Sequence, residues 1–178
     1  IGFKKKKFQI KRINFADGES KKVDENTIII SSLPITITAR LLGFKSNLSF
    51  RGVRTIYVAI KKKEVLPDKC HWIYYSSKNI IFNRISEHKK MSKFVSPNNK
   101  TYLSAEISYS KGDKIDKTKF NKIKKIVQKD LVKVGLVKKD EITDFSENKE
   151  DFVYPVQFTN YKYELSKTTS KISKYLVW

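Results

Sequence analysis

Cysteine is nearly absent from this chain: Cys70 is the single one in 178 residues. One thiol cannot close an internal disulfide, which excludes a small scaffold held together by bridges. Together with only two histidines, His71 and His88, it cannot build a convincing zinc site either, so no metal is expected. Glycine is also sparse, at positions 2, 18, 43, 52, 112 and 135. No Gly-x-Gly-x-x-Gly and no phosphate-cradling loop is present, so the chain carries no recognisable dinucleotide-binding unit of its own. No apolar run approaches the roughly 20 residues of a membrane-spanning helix. The longest, residues 27–37, is interrupted by Ser31, Ser32 and Pro34. The only methionine is Met91, and the basic start leads into Phe8, Ile10 and Ile13 interleaved with Lys11 and Arg12. That is no signal-peptide core. The chain is therefore read as part of a longer polypeptide.

What is abundant is lysine. Lys plus Arg number 38 against 18 Asp plus Glu, a formal charge of +20. Arginine, the residue with the planar fork for phosphate and base recognition, stands only at 12, 40, 51, 54 and 84. The lysines are spread along the chain, and a solvated lysine-rich surface accounts for most of them. A nucleic-acid partner is not expected. A basic module for nucleic acid or an anionic surface is kept as the reading from another functional class. Hydrophobic residues at 39% and aromatics at 12% are enough to fill a core, which excludes a disordered basic tail.

The pattern of elements is α+β. Residues 8–15 look extended and Asp17-Gly18 supplies a hairpin turn, with Val23 on the return strand. Residues 27–30 form a β-branched run of the kind buried on both faces of a sheet. Pro34 suits a first helical position, and the helix it opens should stop at Gly43. Residues 53–60 alternate cleanly, and residues 72–75 and 80–84 suggest a further pair of strands. Residues 87–99 are polar and irregular, a loop of the sort that carries binding residues. Residues 101–109 alternate again, with Leu103, Ala105, Ile107 and Tyr109 on one face. Phe120, Ile123, Val127, Leu131 and Val134 recur at helical spacing, with Asp116 as candidate cap and Gly135 as the stop. Residues 152–158 return to strand character around Tyr154-Pro155, where proline marks an edge or a strand end. Tyr161, Leu165, Ile172, Tyr175 and Leu176 mark a last helix. The expected architecture is one domain, 1–178, with an antiparallel-rich sheet of about six strands and helices on one side.

Little here carries chemistry by itself. Adjacent Cys70 and His71 point to opposite sides of an extended segment, so they cannot face each other as a nucleophile and base. Glu106 lies on the face opposite Leu103 and Ile107, as a solvated residue or a partner for Arg84. Trp72, Tyr74 and Tyr75 could stack bases, although such residues more often form the core and rim of a sheet. Arg84, read as the end of a strand that opens into the irregular loop, is placed either to hold a diphosphate or to make a surface ion pair.

Taken in order, several segments resemble the FAD-dependent amine-oxidase-like superfamily. Val23-x-x-x-Thr-Ile-Ile-Ile-Ser-Ser-Leu-Pro34 resembles its strand followed by Ser/Thr-x-Pro, which leads from the substrate domain back to the flavin. His71-Trp-Ile-Tyr-Tyr75, Phe82-Asn-Arg-Ile-Ser-Glu87 and Ser96-Pro97 resemble the block around the substrate pocket of one subgroup. Ala105-Glu-Ile-Ser108, Asp130-Leu-Val-x-x-Gly-Leu136 and Tyr154-Pro155 follow in that subgroup's order. It comprises UDP-galactopyranose mutases and protoporphyrinogen-oxidase-like proteins of polysaccharide biosynthesis. The resemblance covers residues 15–178.

The resemblance implies a substrate-binding portion of a cytoplasmic FAD-dependent enzyme. The Rossmann part and the C-terminal flavin segment would lie outside this chain, as the rest of the same polypeptide. Arg84 and Tyr154 would contact a substrate diphosphate, with Trp72 and Tyr74 also at the substrate. Ser31, Ser32, Leu33 and Pro34 would approach the flavin. The flavin would be the nucleophile and the protein would only position and neutralise, so no catalytic side chain is expected here. The chain alone would not hold FAD. The implied substrate is a nucleotide-sugar; an amine or protoporphyrinogen-type oxidase is the alternative.

Overall fold

Alternation in two long segments builds the middle of the main sheet. β4 (Phe50–Ile60) and β7 (Thr101–Tyr109) pair antiparallel from Gly52 opposite Tyr109 to Ile60 opposite Thr101. The computed structural model describes residues 2–6 and 9–175, and two compact units, Ile1–Ser49 with Pro155–Trp178 and Phe50–Tyr154, divide the chain. The chain is α+β, and its strands are antiparallel, five in one sheet and three in another rather than about six together.

In the unit Phe50–Tyr154, the sheet order is β5 (Trp72–Tyr74), β6 (Arg84–Glu87), β7, β4, β8 (Ile142–Pro155). One face carries Ile56, Val58, Ile60, Ile85, Leu103, Ala105 and Ile107, all fully or nearly fully buried. Ile123, Val127 and Leu131 of α3 (Phe120–Lys133) close that face, as their helical spacing anticipated. Each such side chain contributes about 1.5–3 kcal/mol on burial. The short α2 (Lys114–Lys117) precedes α3, and Asp113 caps it by accepting the Asp116 N–H at 2.8 Å. Lys119, not Asp116, occupies the N-cap of α3. Gly135 follows the helix at φ 75°, a left-handed position that glycine adopts without strain.

Two strands differ from their sequence reading. Residues 80–83 are not a strand: the Ile81 N–H donates to the Asp130 carboxylate of α3 at 2.8 Å, and Phe82 turns into the core. Arg84 therefore opens a strand instead of ending one. β8 is also longer than residues 152–158 suggested, because most of its first ten residues are polar and exposed at the edge of the sheet. Pro155 is its last residue.

The irregular segment after β6 is pinned from inside. Glu87 is fully buried, and its carboxylate accepts from Val65 N, Leu66 N and Thr101 Oγ1 at 2.7–3.1 Å. Lys89 donates to the carbonyls of Pro97, Asn98 and Lys100 at 2.6–2.9 Å. Arg54, 3% exposed, pairs with Glu147 and donates to the carbonyls of Ile115 and Thr118. Buried charges persist in cores only with partners of this kind.

The other unit holds β1 (Gly2–Lys6), β2 (Gln9–Asn14), β3 (Ser20–Lys22), α1 (Ile35–Leu41) and α4 (Tyr161–Ile172). β2 and β3 form the expected hairpin, with Gly18 at φ 90° in its turn. Its core is Ile10, Ala39, Leu42 and Ile172. Residues 27–30 are not the buried strand their composition suggested. They join no sheet, and only Ile29 packs on the core while Ile28 and Ile30 are 88% and 92% exposed. Phe8 and residues 176–178 lie outside the described residues.

Candidate functional site

The face of the five-stranded sheet opposite α3 follows from the same register. Trp72 pairs with Ser86 and Tyr74 with Arg84 between β5 and β6. Arg84 then pairs with Glu106 and Ser86 with Ser104 on β7. Glu106 faces Thr55 and Ser104 faces Tyr57 on β4. Since successive residues alternate between faces, these side chains share one surface. It is polar and aromatic where the opposite face is aliphatic.

Two groups of contacts organise it. Arg84 donates to Glu106 from Nε at 3.0 Å and from Nη2 at 2.6 Å, while Nη1 reaches the Tyr74 hydroxyl at 3.3 Å. The guanidinium also lies 5.8 Å from the centre of the Tyr74 ring. Glu106 raises the pKa of Arg84, with the hydroxyl of Tyr74 adding to it and burial opposing it. The second group is a row of rings. His88 stacks on Tyr102 at 5.2 Å and hydrogen-bonds Ser104 at 3.0 Å, and Tyr57 meets Tyr102 edge-on at 6.2 Å. Burial pushes the Tyr102 hydroxyl above the ordinary tyrosine range, and Tyr57 adds to the effect. Beside this row an open groove of about 460 Å³ is lined by Tyr57, Ala59, Tyr102, Asp144, Phe145 and Ser146.

Trp72, Tyr74 and Arg84 thus come together, with Trp72 and Tyr74 48% and 67% exposed. Tyr154 stands at the end of β8, half-exposed, and adds to the electrostatics of Arg84. Ser31, Ser32, Leu33 and Pro34 belong to the other unit, ahead of α1; the Ser31 hydroxyl accepts from Leu33 N at 3.4 Å, and Pro34 is the N-cap residue. Sequence reasoning missed Tyr57, Tyr102, His88 and Ser104. The signal was present in the off-phase residues of 53–60 and 101–109. Cys70 Sγ lies 3.4 Å from the Trp72 carbonyl, and among the described residues no group of three His, Cys, Asp or Glu could hold a metal.

No family model and no curated protein sequence matches the chain. Solved structures do. A reduced UDP-galactopyranose mutase matches with a TM-score of 0.75 at 17% identity, over 93% of this chain and 37% of that one. A putative protoporphyrinogen oxidase from Exiguobacterium sp. matches with a TM-score of 0.71 at 12% identity, over 99% of this chain and 40% of that one. The chain has the fold of part of these proteins. It spans about two fifths of their length.

Proposed function

We propose that this chain is the substrate-binding part of a flavin-dependent enzyme that acts on a nucleotide-linked sugar, in the manner of a UDP-galactopyranose mutase. The supporting observation is the sheet face itself: exposed Tyr74 meets the Arg84 guanidinium, and exposed Trp72 and a row of rings share that face, in a fold shared with that mutase. Rings offer stacking surfaces to a base or sugar, and the arginine fork suits a diphosphate.

The flavin fits this chain only at one flank. Four glycines sit in turns at positive φ, and Gly52 is packed against the Tyr109 ring, so none forms a pyrophosphate cradle among the described residues. The hydroxyls of Ser31 and Ser32 would supply polar groups there, in the same segment as the buried Thr36 hydroxyl, which has no hydrogen-bond partner among the described residues. The rest of a flavin pocket, a Rossmann part and a C-terminal segment, would come from the same longer polypeptide. FAD would then supply the nucleophile, while residues of this chain bind and orient the sugar nucleotide.

A second reading, an oxidase of a porphyrinogen-like substrate, is favoured by the match to the putative protoporphyrinogen oxidase over 99% of the chain. Titration with UDP-galactose and with protoporphyrin separates the two, followed by calorimetry and by quenching of tryptophan fluorescence. Saturable UDP-galactose binding that Arg84→Ala weakens supports the mutase-like reading. Saturable binding of the porphyrin alone transfers support to the oxidase, and binding of neither overturns both.

A further inference from the structure

The outer side of α3 carries a cationic stripe that the sheet-face site does not use. At about 100° per residue, Lys122, Lys125, Lys129 and Lys133 fall within an arc of roughly 80°, diametrically opposite the buried Ile123, Val127 and Leu131. All four are exposed. None is in an ion pair among the described residues, and only Lys133 has a partner, the Asn79 carbonyl at 3.3 Å. Exposed Lys114, Lys117 and Lys119 lead into the stripe, and exposed Lys138 and Lys139 follow it.

Among the described residues no carboxylate pairs with the four stripe lysines. Asp113 accepts from the backbone at Ser110 and Asp116. Asp116 is held by Gly112 N and by Lys149. Asp130 is buried and accepts from Ile81 N. Asp113, Asp116 and Asp130 are thus engaged in folding this segment, and the lysines are left facing outward along a helix of about 21 Å.

We infer that the outer face of α3 docks on an anionic membrane surface. The stripe contains no arginine and no exposed ring, so it lacks the fork and the stacking platform that read nucleic acid. Flexible ammonium groups on one straight line meet a flat layer of headgroups simultaneously. Val132, 41% exposed at the edge of the stripe, adds a small apolar contact at the same surface. This is surface attachment, distinct from a membrane span; no helix among the described residues is long and apolar enough for one.

The test is co-sedimentation of the 178-residue chain with phosphatidylcholine vesicles, with and without about 30% phosphatidylglycerol, at low and physiological salt. Lys122, Lys125, Lys129 and Lys133 are changed together to Gln. A control changes Lys61, Lys63, Lys78 and Lys100, which are equally exposed in the same unit, so both variants lose the same charge. The stripe variant should lose at least about tenfold in partitioning to anionic vesicles while the control stays within about twofold. Equal losses in both variants would mean that net charge alone drives attachment, and would overturn the inference. So would wild type that ignores phosphatidylglycerol, or stripe-dependent binding to duplex DNA that outcompetes vesicles.

Discussion

Glu106 holds Arg84 across the β6–β7 pairing, with Nε and Nη2 of the guanidinium both directed at the single carboxylate oxygen Oε1. The arginine proposed to bind a diphosphate is therefore already engaged by an anion of the protein. A ligand phosphate must share the fork with Glu106 or displace it. Each competing charge-assisted contact is of the order of 1.5–3 kcal/mol.

Glu106→Gln should accordingly strengthen UDP binding by about tenfold, and Arg84→Ala should weaken it by at least as much. The pair is half-exposed, so either change should cost only about 1 kcal/mol of stability, a few degrees in melting temperature. Calorimetric titration of UDP with parallel melting curves decides the matter. Unchanged affinity in both variants, with a collapsed melting temperature for Arg84→Ala, would make the pair purely structural.

Glu87 looked in the sequence like the first residue of a polar binding loop, yet it is the most deeply buried carboxylate of the chain. Glu87→Ala strands the N–H groups of Val65 and Leu66 and the hydroxyl of Thr101. Buried unsatisfied groups cost about 1–3 kcal/mol each, so a loss of roughly 3 kcal/mol or more is expected in urea unfolding. A loss below about 1 kcal/mol would show that water or a backbone shift satisfies those groups.

Periodicity explains what could be read in advance. The aliphatic face of residues 101–109 and the inner stripe of α3 repeat at 2.0 and 3.6 residues, and burial of a whole face enforces such patterns. The misreadings fall where a polar contact, or the lack of a pairing strand, overrides local pattern. Residues 80–83 look like a strand, but Asp130, 49 positions downstream of Ile81, captures its backbone N–H. Residues 87–99 look like an irregular binding loop because nothing local reveals that Lys89 ties three carbonyls together. Residues 27–30 look buried because β-branched residues normally pair in sheets, whereas here no strand joins them. At the candidate site, Trp72, Tyr74 and Arg84 were legible as types. Their union with Tyr57, Tyr102 and His88 depends on register, which no single segment shows.

Acid should unfold the chain in a defined window. Asp116, held by Lys149 and by Gly112 N, and Asp151, held by Lys111 and Tyr109, both sit below the ordinary aspartate value of 3.8. Glu141, held by Lys138 N and Lys62, sits below 4.5. A carboxyl whose folded pKa is depressed stabilises the fold fully above its unfolded value, and that contribution is lost as pH falls through the folded one. The melting temperature should therefore hold steady from neutrality down to about pH 5 and fall steeply below about pH 4. Circular-dichroism melts across that range test this, and a decline that begins near pH 6 would contradict it.

Gly52 offers a sharper test of packing between β4 and its neighbours. A Cβ built there would collide with the Tyr109 ring and stand 2.6 Å from the Glu150 carbonyl oxygen. The ring cannot simply swing away. Its hydroxyl donates to Glu150 O at 3.1 Å and to the Asp151 carboxylate, and Tyr109 is 1% exposed. The carbonyl is backbone of β8 and moves only with the edge strand. Gly52→Ala should thus destabilise by about 1–3 kcal/mol, despite alanine's better strand entropy. If strain at the ring is the cause, Tyr109→Leu in the Gly52→Ala background should recover part of the loss, giving a favourable coupling in a double-mutant cycle. Urea unfolding of the four proteins measures it. Strict additivity would mean that the Glu150 carbonyl, and not the tyrosine, sets the limit at this position.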